Sequence, residues 1–286
     1  MGHQLDGCVA KLDRADVQIR ALERSRDSFL QGDTYTGRID HDPQAPEPIL
    51  RGYIHRRPGA ITMDRAALRW GAVVGETIHD LRSALDSLVW RLTEREQGSA
   101  PSPISGRWKQ IAFPIVTDPT RWPPVPDSLW GISPGLCTDF KKLQPFRTGK
   151  DAPEREPLAV LHELWNIDKH RHIHVARRVI GLKAARLVPR DPLPDADAID
   201  PAELEELSIT SQIDGVFEDG AELGRIVYAA RAKLPLDKMY VEADVTADIA
   251  FDQGPPANGA YVVDALKRMS QTCRVIVEHF RPEFGP

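Results

Sequence analysis

The chain has 286 residues, of which 41% are hydrophobic and 28% are charged. These proportions are those of an ordinary globular protein, and they exclude a fibrous, wholly disordered or membrane-embedded chain. The net charge is −5, from 37 Lys and Arg residues against 42 Asp and Glu residues. A protein without an overall positive charge needs a local patch of basic residues to bind nucleic acid.

The cysteines Cys8, Cys137 and Cys273 are widely spaced and form no CxxC pair. Their spacing excludes a zinc ribbon or a thioredoxin-type site and predicts three free thiols that serve as small packing residues. The first residues resemble no signal peptide, and no apolar run is long enough to span a bilayer. We therefore expect a cytoplasmic protein with no membrane partner.

The first half of the chain predicts two long helices. Apolar residues recur at helical spacing within residues 1–31, and short strands within 34–57 flank the Pro-rich stretch 43–48. A helix over 64–97 has the clearest apolar stripe, and Gly98 suits its C-terminal cap. Residues 98–136 combine Pro, Ser and Gly with three tryptophans, which predicts an ordered loop region with one strand over 111–116.

The second half predicts a short helix over 138–143 and long helices over 154–181 and 259–281. Between these long helices lie strands within 183–252 and an acidic linker over 191–206. We predict an α+β fold in one domain, 1–286. Its bundle-like core has four long helices, with antiparallel β-strands inserted after the first and third helices.

Ionisable residues share one face of the second predicted helix. His79, Arg82 and Asp86 follow the spacing i, i+3, i+7, away from the main apolar stripe. The solvent-facing side is predicted to carry Glu76, Asp80, Ser83 and Ser87. The spacing therefore predicts that His79, Arg82 and Asp86 lie at a semi-buried contact.

The third predicted helix carries Asp168 and His172 within its apolar stripe, four residues apart. A buried carboxylate needs a partner, and His172, Arg171 and Arg82 are the candidates. Two interpretations stay open. One is a structural polar network that sets helix register, and the other is a functional site between the two helices.

The segment from Asp168 to His174 holds three of the nine histidines. His170 and His174 have the spacing of two metal ligands on one helix face, but a third ligand is only marginally placed and no HExxH motif occurs. We predict no metal and no cofactor, and favour a basic row that faces solvent or phosphate.

Two motifs resemble a family of bacterial proteins without an assigned reaction. Residues 75–90 resemble its pattern G-D-x-x-H-N-L-R-S-A-L-D-H-L, with Asp80 and Ser87 in place of the usual Asn and His. Leu161, Leu164 and Asp168–Arg171 match a second hallmark, L-x-x-L-x-x-x-D-K-H-R. The resemblance implies that His79, Arg82, Asp86 and the segment 168–171 belong together, and it implies no reaction.

The helical plan also has a weak similarity to HEPN ribonucleases, whose motif has four to six residues between an Arg and a His. Arg155 with His162, and Arg274 with His279, match that spacing, but about two or three such matches are expected by chance at ordinary composition. The residues that follow these arginines, Glu156 and Val275, are also atypical of the motif.

Several hypotheses about function therefore stay open, including whether the chain is an enzyme. The first is a polar site between helices that handles a phosphate-containing or RNA substrate by metal-independent acid–base chemistry. Its catalytic candidates are His79, Asp168, His170 and Arg171, and its substrate-binding candidates are Arg82, Asp86, Lys169 and His172. The alternatives are a non-enzymatic binding or interaction module with a structural His/Asp/Arg network, and a small-molecule pocket lined by tryptophans. The partner is unknown, and a nucleic acid and a homo-oligomer both stay open.

Overall fold

The architecture is that of a computed structural model, which describes residues 3–31, 35–41, 49–56, 63–102, 106–124, 126–173, 175–189, 208–210, 222–227, 239–252, 257 and 259–285. The chain divides into two compact units. The first comprises Met1–Ser25, Ala66–Val175 and Ala250–Pro286, and the second comprises Arg26–Arg65 and Ala176–Ile249. The organisation as one domain stays a prediction.

Six α-helices occur in the described part of the chain. They are α1 (Asp6–Gln31), α2 (Met63–Gln97), α3 (Pro134–Lys142), α4 (Pro145–Thr148), α5 (Pro157–His170) and α6 (Val262–His279). Short 3-10 turns lie at Arg107–Gln110, Pro119–Arg121, Asp127–Leu129, Pro153–Arg155 and Arg281–Phe284.

The apolar faces predicted for α1, α2 and α6 are confirmed. Leu12, Leu81 and Leu266 are fully buried or nearly so, and Phe29 at the end of α1 is half-buried. The other residues of these stripes are buried: Leu5, Cys8, Ile19, Leu22, Trp70, Val74, Thr77, Ile78, Leu85, Leu88, Leu92, Val262, Val263, Met269, Cys273, Ile276 and Val277. The predicted end of α2 is confirmed as well. The helix stops at Gln97, and Gly98 has a φ of 67°, a left-handed conformation that glycine adopts at little cost.

Strands of the second unit are described by their backbones. They are β1 (Tyr35–His41), β2 (Ile49–Arg56), β3 (Val175–Pro189), β4 (Ser208–Thr210), β5 (Glu222–Val227) and β6 (Met239–Phe251). The first residue of β3 and the last two residues of β6 belong to the first unit. One sheet has the order β1-β2-β5-β4 with antiparallel pairs, and β3 pairs with β6. The predicted loop 43–48 and linker 191–206 lie outside the described residues.

The predicted fold class, an α+β bundle of four long helices with inserted antiparallel strands, is wrong. Among the residues whose side chains are described, 72% are helical when the 3-10 turns are counted with the six α-helices, and these residues contain a single short strand and no sheet. The strands that pair in sheets are those of the second unit, which are described by their backbones alone. The core also draws on the loop region before α3, through Ile111, Phe113, Leu129 and Ile132. The strand predicted at 111–116 does not form there among the described residues.

The third long helix is shorter than predicted, because α5 ends at His170 and not near residue 181. Arg171 has an extended backbone, with φ −150° and ψ 164°. Beyond it, Ile173 and Val175 are both buried, and this spacing of two residues is the pattern of a strand and not of a helix. The residues that follow form β3.

Candidate functional site

A cleft of about 760 Å³ lies between α1, α2 and α5 of the first unit. We call it the His79 cleft, and it is lined by Arg14, Gln18, Ala72, Gly75, Glu76, His79 and Asp168. Two residues predicted to be catalytic, His79 from α2 and Asp168 from α5, therefore face one space. The sequence placed them on different helices, and packing brings them together.

Gly75 makes room for Asp168. A Cβ atom at position 75 would lie 2.4 Å from Oδ1 of Asp168, closer than real Cβ contacts allow. The carboxylate thus lies directly against the backbone of α2. The helix backbone excludes water from one side of the carboxylate, and this desolvation raises the pKa of Asp168. The neighbouring His79 and His172 act in the opposite direction and lower that pKa.

Gly71, one turn earlier in α2, serves the segment that follows α5. A Cβ there would lie 2.5 Å from the backbone oxygen of Ile173. Two glycines four residues apart therefore let α5 and the residues after it approach α2 closely. This approach positions Asp168 beside His79.

The side chains of His79 and Asp168 are exposed, and neither makes a hydrogen bond or ion pair with any residue that the structure describes. Their polar atoms stay available to solvent or to a ligand in the cleft. The interpretation that Asp168 is buried and paired with His172 along one helix is wrong. His172 lies beyond the end of α5, where helical i, i+4 spacing no longer applies.

The other charged groups of the His79 cleft are held by protein contacts. The guanidinium of Arg14 forms a bidentate ion pair with the buried carboxylate of Asp80, with Nε 2.6 Å from Oδ2. This pairing raises the pKa of Arg14. Gln18 donates a 3.3 Å hydrogen bond to Glu76. Because Asp80 neutralises Arg14, the carboxylates of Glu76 and Asp168 give this space a negative character.

Arg82 and Asp86 are held at a different place. The Arg82 side chain is only 6% exposed, and its Nη2 lies 3.0 Å from Oδ1 of Asp86 and 2.7 Å from the carbonyl oxygen of Phe113. Asp86 in turn accepts the backbone N–H of Phe113 at 2.8 Å. Together the two side chains fix the loop that carries Phe113, so they do not line the His79 cleft.

Trp165 connects this buried pair to the end of α5. The guanidinium of Arg82 lies 5.0 Å from the centre of the Trp165 ring, and Nζ of Lys169 lies 3.0 Å from it. Both contacts are cation–π interactions. One nitrogen of Arg82, Nη1, is buried without a hydrogen-bond partner among the described residues.

The remaining predicted residues lie at the exposed end of α5. His170 is its last residue, and Arg171 and His172 follow it, all three on the surface. His174 lies outside the described residues, so the predicted pairing with His170 does too. Within the described part of the chain, no three or more His, Cys, Asp or Glu residues form a group suited to a metal ion.

The three cysteines are buried free thiols, as predicted. Burial raises the pKa of all three, that of Cys273 to about 12. A thiol with a raised pKa is a poor nucleophile, so these residues act in packing.

Sequence reasoning missed the contribution of α1 to the cleft, namely Arg14 and Gln18. It also placed Glu76 and Asp80 together on a solvent-facing side, whereas Asp80 is only 1% exposed. A signal was present, because Gly71 and Gly75 interrupt a long helix at a spacing of one turn. Such glycines often mark a close backbone approach.

Comparisons of the chain with protein-family models, with curated proteins and with solved structures found no match. The resemblances to the bacterial family and to HEPN ribonucleases therefore stay predictions. Among the described helices, none is long and apolar enough to cross a membrane.

Proposed function

We propose that the His79 cleft is an acid–base site for a phosphate-containing substrate, with RNA as the substrate class. The observation that carries the proposal is that His79 and Asp168 face one cleft from two helices, and neither makes a hydrogen bond or ion pair with a described residue. Polar side chains that the fold does not use remain free to exchange protons with a substrate.

In this proposal His79 transfers the proton, since imidazole is the side chain that most often serves as a general acid or base. Asp168 faces the same cleft and stabilises the protonated imidazole through its charge. Because the carboxylates of Glu76 and Asp168 repel a phosphodiester, the phosphate is held at the edge of the cleft by the exposed Arg171, with His170 and His172 beside it as hydrogen-bonding groups. Lys169 stays on the ring of Trp165, close to this group.

A structural role is the second candidate for part of the predicted network, and the contacts of Arg82 and Asp86 favour it. Both side chains are occupied by each other and by the backbone of Phe113. We therefore assign Arg82 and Asp86 to fixing the loop, and His79 with Asp168 to chemistry. We further propose a cytoplasmic location, because an RNA substrate and three free thiols suit a reducing compartment.

The test is cleavage of a fluorescently labelled single-stranded RNA in the presence of EDTA. We expect His79→Ala and Asp168→Asn each to reduce the rate by about 100-fold, the size of effect typical of lost acid–base catalysis. Arg171→Ala should mainly weaken RNA binding. Matched controls are His279→Ala and Asp264→Asn, which change exposed residues of α6 and should keep the wild-type rate.

Thermal unfolding of each variant accompanies the assay, so that loss of fold is separated from loss of chemistry. A wild-type protein that neither binds nor cleaves RNA would refute the proposal. A cleavage activity that His79→Ala and Asp168→Asn leave unchanged would refute it as well, since such activity would arise elsewhere.

A further inference from the structure

The first unit contains another cleft, which shares no residue with the His79 cleft. It has a volume of about 380 Å³, and we call it the Glu163 cleft. It is lined by Ile115, Val116, Thr117, Arg121, Glu154, Ala159, His162, Glu163 and Asn166. A space of this size accommodates a small metabolite.

One wall of the Glu163 cleft is a single face of helix α5. Ala159, His162, Glu163 and Asn166 follow the spacing i, i+3, i+4, i+7, which places them side by side. The small side chain of Ala159 leaves space between this face and the segment 115–117 opposite. The cleft thus follows from a polar stripe on a helix whose remaining faces are largely apolar.

The polar groups of this stripe are not used by the fold. Glu154, Glu163 and Asn166 make no side-chain hydrogen bond or ion pair within the part of the chain that the structure describes. His162 is half-buried, and its Nδ1 atom is buried with no partner among those residues. Burial lowers the pKa of His162, and the charges of Arg82 and Lys169 lower it further, so its imidazole is neutral at neutral pH.

The charges of the cleft favour a cation inside and an anion at the rim. Glu163, which is half-exposed, and Glu154, which is exposed, are carboxylates without an ion-pair partner among the described residues, and His162 adds no positive charge. Arg121 has a side chain that is 82% exposed, and its Nε lies 3.9 Å from Asp118, at the limit of an ion pair. Its guanidinium is thus available to an anionic group at the rim.

A metal ion fits this arrangement poorly. His162, Glu163 and Glu154 do not converge as a metal-binding group, and the described residues contain no such group of three. An organic ammonium group needs only separate acceptors around it, and two carboxylates with an amide oxygen supply them.

We propose that the Glu163 cleft binds a small zwitterion of the amino-acid type. Its ammonium group is held by Glu163 and Asn166 with Glu154 nearby, and its carboxylate is held by Arg121. The neutral imidazole of His162 forms part of the floor. This proposal does not rest on the proposed function, because the two clefts have no residue in common.

The test is saturation-transfer NMR on the full-length protein with an equimolar mixture of the standard amino acids. The best binder is then titrated calorimetrically, alongside its N-acetyl derivative, which lacks the ammonium group. We expect Glu163→Gln to weaken binding at least about ten-fold, the effect of losing one charge-assisted contact. Glu76→Gln, the same substitution in the His79 cleft, is the matched control and should leave affinity unchanged.

Several outcomes would overturn the proposal. One is that no amino acid binds. Another is that the N-acetyl derivative binds as tightly as the amino acid itself. A third is that Glu163→Gln and Glu76→Gln lose the same amount of affinity. A titration with Mn²⁺ alone completes the test. Paramagnetic broadening of resonances around the cleft that Glu163→Gln abolishes would assign the site to a metal ion instead. Because Glu163 is half-exposed, we expect its Gln variant to unfold at the wild-type temperature, which keeps the comparison valid.

Discussion

At the scale of the residue, the two glycines of α2 have different neighbours, and this difference separates the lining of the cleft from the packing of the fold. A Cβ at position 75 would meet the end of a flexible side chain, the carboxylate of Asp168. A Cβ at position 71 would meet the backbone oxygen of Ile173, which cannot rotate away. One glycine thus serves the cleft and the other serves the fold.

We expect Gly75→Ala to displace the Asp168 carboxylate and to abolish any activity of the His79 cleft, while stability is unchanged or rises. Alanine in a helix interior is favoured over glycine by about 1 kcal/mol, which offsets the cost of moving one side chain. Gly71→Ala should lower the free energy of unfolding, because the backbone must shift. Urea unfolding of both variants is the measurement, and a Gly75→Ala variant less stable than Gly71→Ala would contradict the argument.

At the scale of the element, helices α1 and α2 pack through polar contacts as well as apolar ones. Lys11 donates hydrogen bonds to the hydroxyls of Ser83 and Ser87, at 2.7 Å and 2.6 Å, and Arg14 pairs with Asp80. The face predicted to meet solvent is therefore a helix–helix contact. From the sequence alone, a polar residue that is buried against a partner cannot be distinguished from one that faces water.

The pair of Arg14 and Asp80 should respond asymmetrically to substitution. Arg14→Ala leaves the side chain of Asp80, which is only 2% exposed, without its cation. Asp80→Ala instead leaves the side chain of Arg14, which is 65% exposed and hydrated, without its anion. We expect Arg14→Ala to lower the melting temperature more than Asp80→Ala does. Adding Asp80→Ala to Arg14→Ala should recover part of the loss. Thermal unfolding followed by circular dichroism tests both, and a double variant less stable than Arg14→Ala would be inconsistent with this account.

At the scale of the whole molecule, partly buried ionisable groups make stability depend on pH. His162 has a pKa below its ordinary value of 6.5 in the folded chain, because burial disfavours the imidazolium. When the pH falls below 6.5, the unfolded chain takes up a proton that the folded chain does not. Folding stability therefore decreases with falling pH until the folded pKa is passed.

We expect His162→Gln to lose less stability than the wild type between about pH 7 and about pH 5, because the substitution removes this proton uptake. Urea unfolding at the two pH values measures the difference. His279→Gln, at the exposed end of α6, is the control and should retain the wild-type dependence. The same pH dependence in all three proteins would show that His162 is not the group responsible.

The sequence by itself determined the helices with a continuous apolar stripe, α1, α2 and α6, and the end of α2 at Gly98. Helical periodicity and a glycine cap are local properties, so they can be read without knowing the fold. It also singled out His79 and Asp168, because unusual residue types in a helix are visible in one dimension. The sequence pattern predicted a helix that runs past the end of α5, because the apolar residues change from helical spacing to strand spacing after His170.

Tertiary structure decided which candidates share a site. His79 and Arg82 are one turn apart on α2, yet His79 faces a cleft with Asp168 while Arg82 is buried against Phe113 and Trp165. The division depends on which helices and loops pack against each side of α2, and on the space that Gly71 and Gly75 leave for them. These are contacts between residues far apart in the chain, so spacing along one helix could place the candidates on a face but could not name their neighbours.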